Sequence, residues 1–156
     1  MVRDGLQHQQ QQPVTGIAAM SRKLIAVAVL ATCLFGMAMA DDDKVAQAEA
    51  AVLQWLAHVD DRQYVTSWND AARPFRVRVT PQQWEDAVSA GREPFGKLVS
   101  RTVSDANYTT SVPGLPDGEF VIFQFASVFE HKAEGVETVT AVLEEDTWRV
   151  TGYFIR

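Results

Sequence analysis

From Glu119 to Phe129 the chain is apolar on both alternating sets of positions: Val121, Phe123, Phe125 and Phe129 on one, Phe120, Ile122, Ala126 and Val128 on the other. Side chains of a strand alternate between two faces, so a segment apolar on both predicts a strand in the interior of a sheet. Shorter alternating stretches lie around it, and strands are predicted near 98–109, 119–130, 136–144 and 147–155. Pro113-Gly114-Leu115-Pro116-Asp117-Gly118 supplies the first turn and Glu145-Asp146 a tight one. Consecutive strands joined by short turns pair as an antiparallel meander.

The segment before the sheet changes period. Val45, Ala48, Val52, Trp55 and Val59 recur at steps of three and four with no Gly or Pro between them, which predicts an amphipathic helix over 45–59. Asp41 to Asp43 are placed at its start, where negative charge meets the positive end of the helix dipole. Asp60 or Asp61 is positioned to cap a second short helix carrying Tyr64, Trp68 and Ala72, which Arg73-Pro74 should end. A third helix is announced by Thr80, Pro81 and Gln83, a capping box with proline at the first helical position. Val79 and Trp84 fall where a hydrophobic staple would join, and Gly91 offers the stop. The fold class is α+β: three N-terminal helices packed on one face of a curved four-stranded antiparallel meander.

Residues 20–40 read as a secretory leader. Arg22 and Lys23 precede Leu24 to Phe35, twelve residues without a charge, and Ala38-Met39-Ala40 places small residues where signal peptidase needs them. Cleavage is expected after Ala40, giving a periplasmic or secreted product. The apolar run falls short of the roughly 20 residues of a bilayer span. Acylation of Cys33 is disfavoured by Thr32 just before it. Met20 is the better-placed initiator, and residues 1–19 are set aside as an upstream segment. One globular domain over 41–156 remains, enough chain for a single core.

Without residues 1–40 the chain loses three basic residues and one acidic, leaving 11 Lys+Arg against 19 Asp+Glu and a net charge of -8. That sign opposes nucleic acid and anionic membrane as partners. Cys33 leaves with the leader, which excludes disulfides, thiolate catalysis and cysteine metal sites. Signatures of zinc proteases, P-loops, nucleophile elbows and dinucleotide folds are missing. His58 and His131 are the remaining histidines and do not stand at ligand spacing, so no cofactor or metal is expected.

Trp55-Leu56, Asp60, Tyr64, Ser67-Trp68, Trp84, Arg92, Gly96 and Ser100-Arg101 lead on to Pro113-Gly114 and Asp117-Gly118-Glu119. Glu137-Thr138-Val139-Thr140, Trp148-Arg149-Val150 and Gly152-Tyr153-Phe154-Ile155 complete the series. Together they resemble the exported bacterial family called domain of unknown function 4019, which implies no activity. The helices-then-sheet layout also resembles the nuclear transport factor 2 superfamily, whose cone-shaped folds hold a pocket between helices and sheet. That likeness implies ligand binders, enzymes and dimerisation modules alike, so a homodimer belongs among its implications.

Strand parity supplies the candidate site. Arg101 alternates with Val99 and Val103, Ser127 with Phe125 and Phe129, and Glu137 with Val139 and Leu143, so three polar side chains share otherwise apolar faces. Counting through the turns sets Arg101 opposite Ser127, with Glu137 diagonal on the next strand. A buried Arg101 requires a carboxylate, and Glu137 is the nearest. A structural ion pair and a ligand-orienting pair both fit that pattern. Tyr64 and Trp68 are candidates for the helix side of the same pocket. Three classes of function remain: a non-catalytic binding domain for a small ligand or an envelope protein, an inhibitor or immunity-type partner of a basic envelope enzyme, and a cone-fold isomerase or dehydratase.

Overall fold

The computed structural model describes the backbone of residues 22–156 and the side chains from Asp41 onward. The expectations for residues 1–19 and for Met20 lie outside the described residues, as do those resting on the side chains of Cys33, Ala38 and Ala40. The residues up to Met37 separate from a compact unit that runs from Ala38 to Arg156.

Helix α1 spans Arg22–Asp60. It begins before the predicted 45–59, so in the full chain Asp41 to Asp43 lie within the helix and not at its start. Its buried stripe is Ala48, Val52, Trp55, Leu56 and Val59, the 3.6-residue pattern anticipated but with Leu56 added and Val45 only half-buried. Helix α2 is Tyr64–Asp70, and its N-cap position belongs to Gln63, which makes no side-chain cap. Asp60 and Asp61 therefore do not cap it. Arg73-Pro74 does not merely end a helix: it opens α3, Arg73–Arg78, in whose first turn the missing proline N–H interrupts nothing. Phe75 anchors that helix in the core.

Helix α4, Pro81–Arg92, starts as predicted. The Gln83 N–H donates to Thr80 Oγ1 at 3.3 Å and the Thr80 N–H donates to Gln83 Oε1 at 3.0 Å. Val79 and Trp84 both join the core. Gly91 is not the stop. The helix continues to Arg92, a 3-10 turn over Glu93–Phe95 follows, and Gly96 turns the chain at φ 78, in the left-handed region that favours glycine.

The strands are β1 (Leu98–Thr109), β2 (Phe120–Phe129), β3 (Lys132–Glu144) and β4 (Thr147–Ile155), in the order β1-β2-β3-β4 and antiparallel throughout. The class is α+β, with four helices and one 3-10 turn among the described residues against a curved four-stranded sheet. Strand β2 is interior, between β1 and β3. Its Val121, Phe123, Phe125, Ser127 and Phe129 are buried, while Ile122 and Val128 are half-buried and Gln124 and Ala126 are exposed. Phe120, on the outer side, is covered by Val112 and Leu115 of the loop before it.

Trp55, Trp84 and Tyr153 pack between helices and sheet in tilted and edge-to-face pairs, with centroids 5.5 to 6.1 Å apart. Ser67, fully buried, ties the layer together. Its carbonyl accepts from Trp55 Nε1 at 2.7 Å and its hydroxyl from Trp84 Nε1 at 2.9 Å, so both indole donors are satisfied away from water.

Candidate functional site

A chain of charged side chains runs through the compact unit at one end of this layer. Arg101 on β1 stands directly opposite Ser127 on β2, and Glu137 on β3 pairs with Phe125, two residues along. The Arg101 guanidinium grips Glu137 at two points, Nε to Oε2 at 2.6 Å and Nη2 to Oε1 at 3.0 Å. Ser127 Oγ donates to Glu137 Oε2 at 2.5 Å and Tyr153 Oη donates to Oε1 at 2.7 Å. Glu137, with no exposed surface, thus has four donors around its two oxygens. Such saturation is what lets a carboxylate stay buried.

The other edge of the Arg101 guanidinium meets the helices. Nη1 donates to Asp60 Oδ2 at 2.8 Å and Nη2 to Oδ1 at 3.2 Å, so the last residue of α1 is tied to β1. Arg92, at the end of α4, donates from Nη2 to the same Oδ1 at 2.9 Å and from Nη1 to the Gly96 carbonyl at 2.6 Å. Its guanidinium lies over the Phe129 ring, 4.1 Å from the centroid. Its Nε is buried without a partner among the described residues. Two arginines and two carboxylates balance, and the array couples α1, α4 and all four strands of the sheet.

The ionisation of its members follows. Burial works to strip the proton from Arg101, but the hydrogen bonds and charges of Asp60 and Glu137 outweigh it and hold the guanidinium above its ordinary pKa. Burial, then the adjacent Glu137 charge, pushes the Tyr153 phenol well above its usual value. Tyr64 moves the same way through burial and its bond to Glu93, with Oη donating to Oε1 at 2.9 Å.

Asp60 and Arg92 also line an open cleft of about 440 Å³. Arg62, Tyr64, Glu93, Gly96, Lys97 and His131 line it with them. The Gly96 backbone fits tightly there: a methyl group on it would stand 2.9 Å from Glu130 Oε2 and 3.0 Å from His131 Cδ2. Among the described residues, no three His, Cys, Asp or Glu side chains gather as a metal site.

The sequence profile of the family described as "Protein of unknown function (DUF4019)" matches residues 51–153. The chain belongs to that family. No curated protein and no solved structure matches it, so the likeness to nuclear transport factor 2 has no structural match behind it. In this DUF4019 domain, Asp60, Arg92, Arg101, Ser127, Glu137 and Tyr153 all fall inside the matched segment.

Of the residues singled out from sequence, Arg101, Glu137 and Ser127 come together in the predicted relation, and Tyr64 lines the cleft beside them. Trp68 does not line it: its indole donates to the Val79 carbonyl at 2.7 Å. The apolar company assigned to Arg101 also differs, because Val99 and Val103 are exposed. Register shifts at Leu98/Ser100 and Val103/Asp105 flank Arg101 without disturbing its pairing with Ser127. Sequence reading took Asp60 for a helix cap and did not place Arg92 or Tyr153 at the site. One signal was available: one carboxylate does not exhaust a buried guanidinium's five donors, so a second acceptor near Arg101 had to exist.

Proposed function

We propose that this domain acts in the cell envelope, after export and removal of a leader ending at Ala40, as a non-catalytic binding domain for a small polar ligand. The observation that carries this reading is the double membership of Asp60, which closes the buried array and also lines the cleft. The array holds Asp60 and Arg92 in one geometry before any ligand arrives, so little ordering is left to do on binding. Arg101, Glu137 and Ser127 set that geometry, and Tyr64 lines the same cleft. A volume of about 440 Å³ suits a small molecule better than a protein surface. Asp60 and Glu137 already accept from arginine at both oxygens, which favours holding a ligand over general-base chemistry.

Native mass spectrometry of the protein isolated from its own host's envelope tests this reading. The expected result is a chain beginning at Asp41 that carries a small adduct, with the adduct lost in a Lys97→Ala, His131→Ala double variant of unchanged melting temperature. A bare wild-type chain, or an adduct indifferent to those substitutions, would exclude the cleft as its site. A chain beginning at Cys33 with added lipid mass would instead make the protein membrane-anchored.

A further inference from the structure

A second groove, of about 500 Å³, lies away from the buried array, between α2, α3 and the β3–β4 turn. Arg73 and Arg76 of α3 stand three residues apart, on one side of that helix. The Ala72 N–H donates to the Val150 carbonyl at 2.8 Å, which ties the start of α3 to β4 and brings both arginines to the groove that Arg149 lines. Asn69 and Thr147 add neutral polar groups.

Two acids, Glu144 and Glu145, line the groove as well. Both oxygens of Glu144 accept the Arg73 backbone N–H, each at 3.1 Å, so this carboxylate caps α3. Glu145 sits in the tight turn at φ 47. Among the described residues, none of Arg73, Arg76 and Arg149 lies within ion-pair distance of a carboxylate. Arg149 gives one hydrogen bond, Nη1 to the Asp70 carbonyl at 3.3 Å. Acids outnumber bases 20 to 14 in this chain, yet three arginines line one groove with no ion-pair partner among the described residues. With Glu144 and Glu145 counted, the lining still carries one net positive charge, against the negative balance of the chain.

We infer that the groove lined by Arg73, Arg76 and Arg149 binds a phosphate group. A guanidinium fork matches either a carboxylate or a phosphate, but three forks around one groove exceed what the two oxygens of a carboxylate accept. A phosphate offers more oxygens and more charge. Its source is either a soluble phosphate monoester or the headgroup of a phospholipid. Binding has to be local and salt-sensitive, because the domain as a whole is acidic.

The experiment uses the purified protein at low ionic strength, with calorimetric titration of inorganic phosphate and glycerol phosphate. In parallel it is sedimented with vesicles of phosphatidylglycerol in phosphatidylcholine. Arg76→Ala is the main variant, since this exposed side chain makes no hydrogen bond within the described residues. It should weaken binding about tenfold or more, the loss of one charge-assisted contact, with the melting temperature kept. Arg76→Lys, which keeps the charge without the fork, should fall between the two. Saturable binding of the soluble phosphates that is lost in Arg76→Ala supports a monoester ligand. Vesicle binding alone, lost in the same variant, supports a headgroup. No binding in either arm, or binding that Arg76→Ala leaves intact, overturns the inference.

Discussion

Replacing Glu137 by glutamine keeps the shape of a fully buried side chain and removes one of the two negative charges that balance Arg92 and Arg101. Both arginines would then share Asp60 alone. The new amide would also present N–H groups where Arg101, Ser127 and Tyr153 donate, so at least one of four short bonds is replaced by two donors facing each other. Breaking one side of a buried pair costs about 3–5 kcal/mol. Against a total stability of about 5–15 kcal/mol for a domain, that is a large fraction. Arg101→Met should destabilise on a similar scale, leaving Asp60 paired with Arg92 and Glu137 with no cation. The double variant removes one charge of each sign and keeps the Asp60–Arg92 pair, so its loss should fall short of the sum by about 1–3 kcal/mol. Urea unfolding followed by tryptophan fluorescence reads these losses, with buried Trp55 and Trp84 as reporters. Additive losses below about 1 kcal/mol, the behaviour of an exposed pair, would refute the array as a coupled unit.

Stability should fall as pH rises beyond about 10: the unfolded chain then releases the Tyr153 proton that the folded chain retains, so the folded state binds more protons. Tyr64 and Lys44, both raised in the fold, act with the same sign, so Tyr153→Phe should reduce that slope in melting temperature without abolishing it, and an unchanged slope would contradict the argument. Thr80→Ala removes the hydroxyl half of the α4 capping box and should cost about 1 kcal/mol in urea unfolding. Gly96→Ala forces a side chain into φ 78 and against Glu130, and a loss of roughly 1–3 kcal/mol is expected, with wild-type stability as the contrary result.

The parts of this protein legible in its sequence were those governed by local rules. Period-two alternation and turn residues marked all four strands, and counting through the turns set Arg101 against Ser127 with Glu137 beside them. Thr80 and Gln83 announced α4 because a capping box is closed within four residues. Other features depend on how elements meet. Asp60 reads locally as a cap, and only the seating of α1 on the sheet turns it toward Arg101, 41 positions away. Arg92 reaches the array by the seating of α4, whereas Tyr153 reaches Glu137 through the β3–β4 register, in which it pairs with Val139. Arg73-Pro74 was ambiguous in principle, since a proline that ends one helix equally suits the first turn of the next, and the burial of Phe75 decides for α3.

The cleft as a binding site is tested most directly by backbone amide spectra of the isotopically labelled protein, titrated with a small-molecule extract of the host's envelope. The shifts should concentrate on Asp61, Arg62, Gly96, Lys97 and His131, which line the cleft around Asp60, and saturate together. Lys97→Ala should weaken them without altering the rest of the spectrum. A spectrum unmoved by any fraction, or shifts gathered on residues remote from Asp60, would contradict the account.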